Sequence, residues 1–356
     1  MILAVLSQHA EDAAMLGLQR AAAVCAPKYS LKDLEKLDDR LEAQIDGLRI
    51  AGAHGWSICL EQLAFEEAGE VFAAGVLALE SGEPGSIEKV FSTVEKVPET
   101  LPGFASAAGW LDAVRARPLL EAWLKSPTPL RRLAGVTSSA ILRIDLGLVY
   151  LELLRDADAR VRERACRALG ELGRVDLVSH LARALHDPDE AVRFSAAWSL
   201  ALLSSDVAAI SALRAVAESG PAAKTWAERA IPLAIRRMDV ASGRAWQKTL
   251  ARNLESLRSA VLVACHLGDP ELMPWIIDQM KVPELARVAG EAFTFITGVG
   301  IDYRDLDGPA PEGFEGGPTE DPADENVEMD PDEDLPWPHP KKIADWWQKN
   351  RGQCSC

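Results

Sequence analysis

Between residues 56 and 297 the apolar positions recur at helical rather than strand spacing, in segments of about 10–17 residues parted by short turns. In the clearest segment Val161, Ala165, Leu169 and Leu172 fall at i, i+4, i+8 and i+11, which is one stripe of a helix. The next segment, 175–185, places Val175, Leu177, Val178, Leu181 and Leu185 on a second stripe. Turn residues punctuate the series at Gly82-Glu-Pro84-Gly85, Pro98, Pro118, Asp156-Ala-Asp158, Asp187-Pro-Asp189, Gly220-Pro221 and Gly268-Asp-Pro270. Alternating apolar runs bounded by such turns do not occur, so the pattern predicts helices and no strands. Upstream, a helix is expected over 8–24, stopped by Pro27. A second begins at Ser30, where Asp33 completes a capping box, and carries Leu31, Leu34, Leu37, Leu41, Ile45 and Leu48 to a stop at Gly52 and Gly55.

The helical segments are copies of one unit. Asp156-Ala-Asp158-Ala-Arg-Val161-Arg162-Glu-Arg-Ala165-Cys-Arg-Ala-Leu169 aligns with Asp187-Pro-Asp189-Glu-Ala-Val192-Arg193-Phe-Ser-Ala196-Ala-Trp-Ser-Leu200 at an offset of 31. The same register reaches back to Leu130-Arg131-x-x-Ala134 and forward to Ala223-Lys224-x-x-Ala227, with weaker echoes at Val71-Phe72, Leu257-Arg258 and Ala286-Arg287. A fixed period of this length marks a solenoid, here of about seven to nine two-helix units. Asp158 and Asp189 are placed to cap the first helix of their units, and the mid-stripe alanine admits a close neighbour. Neither helix of a pair can bury its stripe alone, so stacking supplies the core. The expected fold is an all-α solenoid with an N-terminal capping unit over 1–56 and repeats over 57–299.

The Asp-x-Asp-x-x-Val-Arg-x-x-Ala-x-x-x-Leu string, strongest over 156–172 and 187–203, resembles the HEAT repeats of the phycobilisome-lyase type. The whole chain, including His9-Ala-Glu-Asp-Ala-Ala, Tyr29-Ser-Leu-Lys-Asp-Leu and the C-terminal tail, is similar to an uncharacterised family of bacterial HEAT-repeat proteins. Members of that family are often encoded near type VI secretion spike and effector genes. The resemblance implies a neighbourhood, not an activity.

Charge alters this picture at one place. Of the formal net charge of −16, the stretch 302–334 holds fourteen acidic residues against Arg304 alone. The remainder is nearly neutral and lacks the basic stripe of a nucleic-acid binder, so nucleic acid is not an expected partner. Rich in Pro, Gly, Asp and Glu, the segment 300–336 is expected to be an extended or disordered linker, most open to proteolysis over 308–334. A short helix over 341–350 then brings Ile343, Trp346 and Trp347 to one side, within a C-terminal segment 337–356. No run approaches a membrane span and no secretory signal is visible. With six scattered cysteines, reduced thiols and a cytoplasmic location are expected.

Chemical motifs are sparse. Asp330-Pro-Asp332-Glu-Asp334 resembles the start of an EF-hand loop, but Leu335 and Lys341 stand where Gly and Glu are required. Cys354-Ser-Cys356 lacks a second pair at zinc spacing. No phosphate loop, nucleophile elbow or dinucleotide fingerprint occurs, so no catalytic residue, metal or cofactor is assigned. An arginine column (Arg131, Arg162, Arg193, Arg258, Arg287) recurs with the repeat and can either grip an anionic partner or form a ladder with the recurring aspartates. Phe194 and Trp198 occupy positions that are Glu163 and Arg167 one unit earlier and Thr225 and Arg229 one unit later. At 100° per residue they lie at about 200° and 240° from Val192, away from the core stripe at about 0–80°. Either the helix is buried on both sides, or Phe194, Trp198, Arg167 and Arg229 form a partner-binding patch. The expected function is a non-enzymatic protein-binding scaffold, adaptor or immunity-like factor. The alternatives are a bilin-lyase-like, chromophore-handling enzyme and a base-excision solenoid, the latter opposed by the neutral body.

Overall fold

A computed structural model of the protein describes residues 3–24, 26, 29–219, 224–314, 316–317 and 329–353. Among these the chain is all α, with one isolated antiparallel bridge between Asp307 and Pro338. The fold is a solenoid of two-helix repeats. The chain divides into two compact units, 1–199 and 200–356, and the division falls inside the helix Glu190–Leu203.

In the first unit Leu3–Ala23 packs on Leu31–Ala51 and on Ala68–Ser81. The Ser30 hydroxyl accepts the Asp33 amide while the Asp33 carboxylate accepts the Ser30 amide, the expected capping box. Leu31 leaves the stripe and is 87% exposed, because the first helical position faces solvent; the buried run is Leu37, Leu41, Ile45 and Leu48. Gly52 ends this helix with φ 58, and Ala53–Gln62 follows at once. Gly55 is therefore no terminator: it lies where a Cβ would strike the Leu48 carbonyl.

Beyond this start, Ala68–Ser81, Leu101–Ala108, Pro129–Ile141 and Ala159–Glu171 pack each on the next and form one layer. Their mid-stripe alanines, Ala134 and Ala165, are fully buried, as is Ala196 in the helix that follows. Phe91, Phe104 and Trp123 form an aromatic chain with centroids 5.3 and 5.2 Å apart, each such contact worth about 0.5–1.5 kcal/mol beyond its area. Opposite Ala159–Glu171, the expected helix over 175–185 is a 3-10 turn, Val175–Leu177, followed by Val178–Ala184.

In the second unit Lys224–Arg236, Leu257–Leu267 and Pro283–Thr297 stack in the same manner, with Val240–Leu250 and Met273–Gln279 behind them. The helix Pro340–Asn350 packs on Met273–Gln279 and buries Ile343 and Trp347, with Trp346 edge-on to Phe293 at 5.4 Å. Its apolar side thus closes the last repeat.

The expected linker is structured at both ends. The Gly308 amide donates to the Trp337 carbonyl (2.9 Å) and the His339 amide to the Leu306 carbonyl (2.8 Å), which staples its beginning to its end. Within it, residues 329–338 form a strap held against the repeat helices by ion pairs and by Trp337. This departs from an extended linker because two aspartates here find arginine partners, described below. Residues 318–328 lie outside the described residues, as do Cys354 and Cys356.

Candidate protein-binding cleft

The helices Ala159–Glu171 and Glu190–Leu203 each open with an aspartate turn, and these turns set the surface of the repeats around them. The Asp158 amide donates to Asp156 Oδ1 at 2.9 Å, and the Asp189 amide to Asp187 Oδ1 at 2.9 Å. The second aspartate of each pair caps the helix, Asp158 accepting from Arg160 N and Asp189 from Ala191 N and Val192 N. The first aspartate answers an arginine of the preceding repeat. Arg162 donates from Nε and Nη2 to Asp187, both at 2.9 Å, while its Nη1 holds the carbonyls of Asp156 and Ala157. Arg132 does the same with Asp156, at 2.6 and 2.8 Å, and with the carbonyls of Ser126 and Pro127. Arg193 Nη1 holds the carbonyls of Asp187 and Pro188.

The arginine column of the first unit is therefore a structural ladder, and its first rung is Arg132 rather than Arg131. The caps Thr128, Asp158 and Asp189 explain the slip, since the first interval is one residue shorter than the second. Arg131 turns instead to Glu88 and lies 4.4 Å over the Phe91 ring.

The aromatic patch does not present itself as its sequence positions imply. Phe194 is 4% exposed, and Ser195, Ala196, Ala197 and Ser199 around it are buried too, so this helix is covered on several faces and the Phe194 ring has no surface to offer. Trp198 is half-buried beneath the Arg167 guanidinium, 4.3 Å from its centroid, and Arg167 also pairs with Glu171 at 3.0 Å. Arg167 Nη1 is itself enclosed. Arg229 belongs to the second unit and is exposed.

The second unit holds a cleft that the sequence reading did not find. Arg258 donates to both carboxylate oxygens of Asp332, at 2.7 and 2.8 Å, and reaches Glu228 at 3.3 Å. Arg287, 6% exposed, pairs with Asp330 and lies 4.5 Å from the Trp337 centroid, with Phe314 edge-on to Trp337. Asp332 is 5% exposed. The Arg258–Asp332 pair is bidentate, and both pairs are charge-assisted and largely desolvated, which makes them strong and, for the first, geometrically selective. They hold the strap as one wall of a cavity of about 590 Å³, whose other walls come from Lys224–Arg236, Leu257–Leu267 and Pro283–Thr297. Ala227, Leu262 and Leu285 supply an apolar floor, and Phe314 lies in the lining.

The electrostatics of this cavity are one-sided. Its lining carries Glu228, Glu255, Glu284, Asp330 and Asp332 against Arg258 and Arg287. Both guanidiniums are committed, while Glu255 and Glu284 are exposed and, among the described residues, pair with no basic side chain. Burial, with the nearby Asp332 charge adding to it, raises the Glu291 carboxyl above its usual range. Burial pushes the Asp330 carboxyl up, but the Asp332 amide and Arg287 outweigh it and leave it below the usual range. Metal-binding groups of three or more His, Cys, Asp or Glu do not occur among the described residues, and Cys59, Cys166 and Cys265 are buried thiols pushed up to about 12 by burial.

A signal for the cleft did exist. Asp330-Pro-Asp332 repeats the Asp187-Pro-Asp189 string, and the Asp332 amide donates to Asp330 Oδ1 at the same 2.9 Å found in the repeat turns. The strap thus carries a copy of the repeat's own aspartate turn rather than a calcium loop.

Residues 149–232 match the family model for HEAT repeats, a minority of the chain that includes the two clearest copies of the unit. No match to the chain was found among curated proteins. No helix among the described residues is long and apolar enough to cross a membrane.

Proposed function

We propose that the protein is a non-enzymatic scaffold that binds another protein through the cleft of residues 200–356. HEAT repeats generally mediate protein interactions, and the ladder arginines of the first unit are occupied in holding repeats together. The observation that carries the reading is the 590 Å³ cavity, partly apolar, framed by three repeat helices and an ion-paired strap. A cavity in the range of roughly 300–1,000 Å³ has the size of a small-molecule site, so a protein partner would place a projecting side chain there rather than a broad face. The resemblance to secretion-linked proteins favours an adaptor or immunity-like factor as the finer reading, working beside a type VI spike or effector.

Affinity purification of tagged protein from its native host tests this, with Ser259→Trp run in parallel. Ser259 is half-buried in the cleft lining, and an indole there takes up cavity space while leaving the residues of both arginine pairs unchanged. Partners that use the cleft are lost from the Ser259→Trp sample while its helicity and melting temperature stay near wild type. Retention of every partner by the filled variant overturns the assignment.

A further inference from the structure

We infer that the cleft receives the lysine or arginine side chain of a basic, extended segment of the partner. This rests on the scaffold reading above and adds the partner's chemistry. Three features of the cavity point the same way. Its charge is uncompensated, with five carboxylates against two guanidiniums, and both guanidiniums are already bound by Asp330 and Asp332. An acidic partner would have to break those pairs before finding a cation, and would meet Glu255 and Glu284 on the way in. A basic side chain meets Glu255 and Glu284, which among the described residues hold no ion pair that must first be broken.

Its shape suits the same guest. The aliphatic stem of Lys or Arg can lie on Ala227, Leu262 and Leu285 while the charged head reaches the carboxylates, the usual division of such side chains between apolar and polar surroundings. Phe314, with the Arg287 guanidinium already 5.6 Å from its centroid, adds apolar surface to the lining for the stem. Glu291 lies close enough to feel Asp332, Arg258 and Glu228, and an arriving cation would favour its ionised form. The net charge of −16 steers a basic segment toward the protein as a whole, and the exposed carboxylates Glu255 and Glu284 give that attraction a place to end.

The test is fluorescence polarisation of the full chain with a fluorescein-labelled peptide of alternating lysine and alanine, against a matched glutamate–alanine peptide. Wild type binds the lysine peptide, more weakly as salt rises. Glu228→Gln, Glu255→Gln and Glu284→Gln combined weaken binding about tenfold. A control carrying Glu11→Gln, Glu35→Gln and Glu61→Gln changes net charge equally at exposed sites in the first unit and leaves binding unchanged. A second cleft variant, Ser259→Arg, supplies the guanidinium from the protein itself and abolishes peptide binding; thermal melts of all variants confirm that they fold. Equal weakening in the control, or binding of the glutamate peptide as tight as the lysine peptide, overturns the inference. If the lysine peptide fails to bind while Ser259→Trp still loses the host partner, the cleft remains a docking site and only its charge preference falls. If both fail, the scaffold reading of the cleft falls with it.

Discussion

In residues 1–199 the carboxylate that answers a ladder arginine comes from the next turn of the chain, 24 residues on for Arg132 and 25 for Arg162. Arg244 in the second unit keeps that habit with Asp269, again 25 on. Arg258 and Arg287 do not: their aspartates arrive from 74 and 43 residues away, on the strap. The bond chemistry is the same and so is the local turn, an aspartate whose carboxylate accepts the amide two residues later. What differs is what the pairing leaves behind. Between consecutive repeats it closes the surface, whereas a strap laid across several helices closes only its own edge and leaves a cavity beneath.

This contrast can be broken at either end. Asp187→Ala should have the largest effect, since it removes both bonds to Arg162 and the turn to the Asp189 amide. A loss of about 3–5 kcal/mol is expected for a largely enclosed pair, read by denaturant unfolding. Asp332→Ala should cost about 2–3 kcal/mol, confined to residues 200–356 in amide exchange. Together with Asp330→Ala it should also make the chain cleavable near Met329 under limited proteolysis that wild type resists there. Equal spread of the Asp332→Ala loss into residues 1–199 would show that the strap is not a local device.

The aromatic pair sharpens the comparison on the first unit's side. Phe194→Ala should cost about 3–4 kcal/mol as a cavity-forming change, and Trp198→Ala, half-buried with a cation stacked on it, about 2 kcal/mol. Full stability in the double variant would mean that the ring of Phe194 is not enclosed after all.

Acid separates the two regions more gently. Arg162 and the Asp189 amide hold Asp187 below the usual carboxylate range against burial, so its stabilisation is complete above about pH 3.9 and is lost as pH falls through its lower folded value. Asp330 behaves alike, but Glu291 has the opposite sign: raised by burial, it disfavours the fold when ionised, and its protonation on acidification relieves that. Within the carboxylate range the first unit should therefore lose stability steadily below pH 4, and the second should gain slightly from Glu291 before it loses. The smallest effect is that of His266, lowered by burial and then by Arg236. Stability should fall as pH drops below about 6.5, with a slope that His266→Phe removes from melting curves.

The fold was largely legible in the sequence, and the cleft was not, for a physical reason. Asp158, Val161, Ala165 and Leu169 recur because adjacent repeats demand them, and adjacency in space follows adjacency in sequence. Even the slip from Arg131 to Arg132 is a one-residue change in turn length. The strap obeys no period. Acidic, Pro- and Gly-rich composition correctly says that 300–336 has little apolar surface to bury, yet Asp330 and Asp332 need none: two guanidiniums and one tryptophan suffice to hold them. The sequence leaves Phe194 with two readings for the opposite reason, since helical angle locates a face and does not say whether another element covers it; its ring is buried.

The staple between residues 306–308 and 337–339 gives the protein an unplanned convenience. Because the Gly308 amide is joined to the Trp337 carbonyl and the His339 amide to the Leu306 carbonyl, residues 306–308 and 337–339 stay together whatever length of chain is placed between them. Doubling a loop costs only about 0.6 kcal/mol in closure entropy. A reporter domain or affinity tag spliced directly after Gly317 would thus start one residue from Gly316 of the cleft lining, at little cost in closure entropy. That makes it a natural handle for watching a guest arrive.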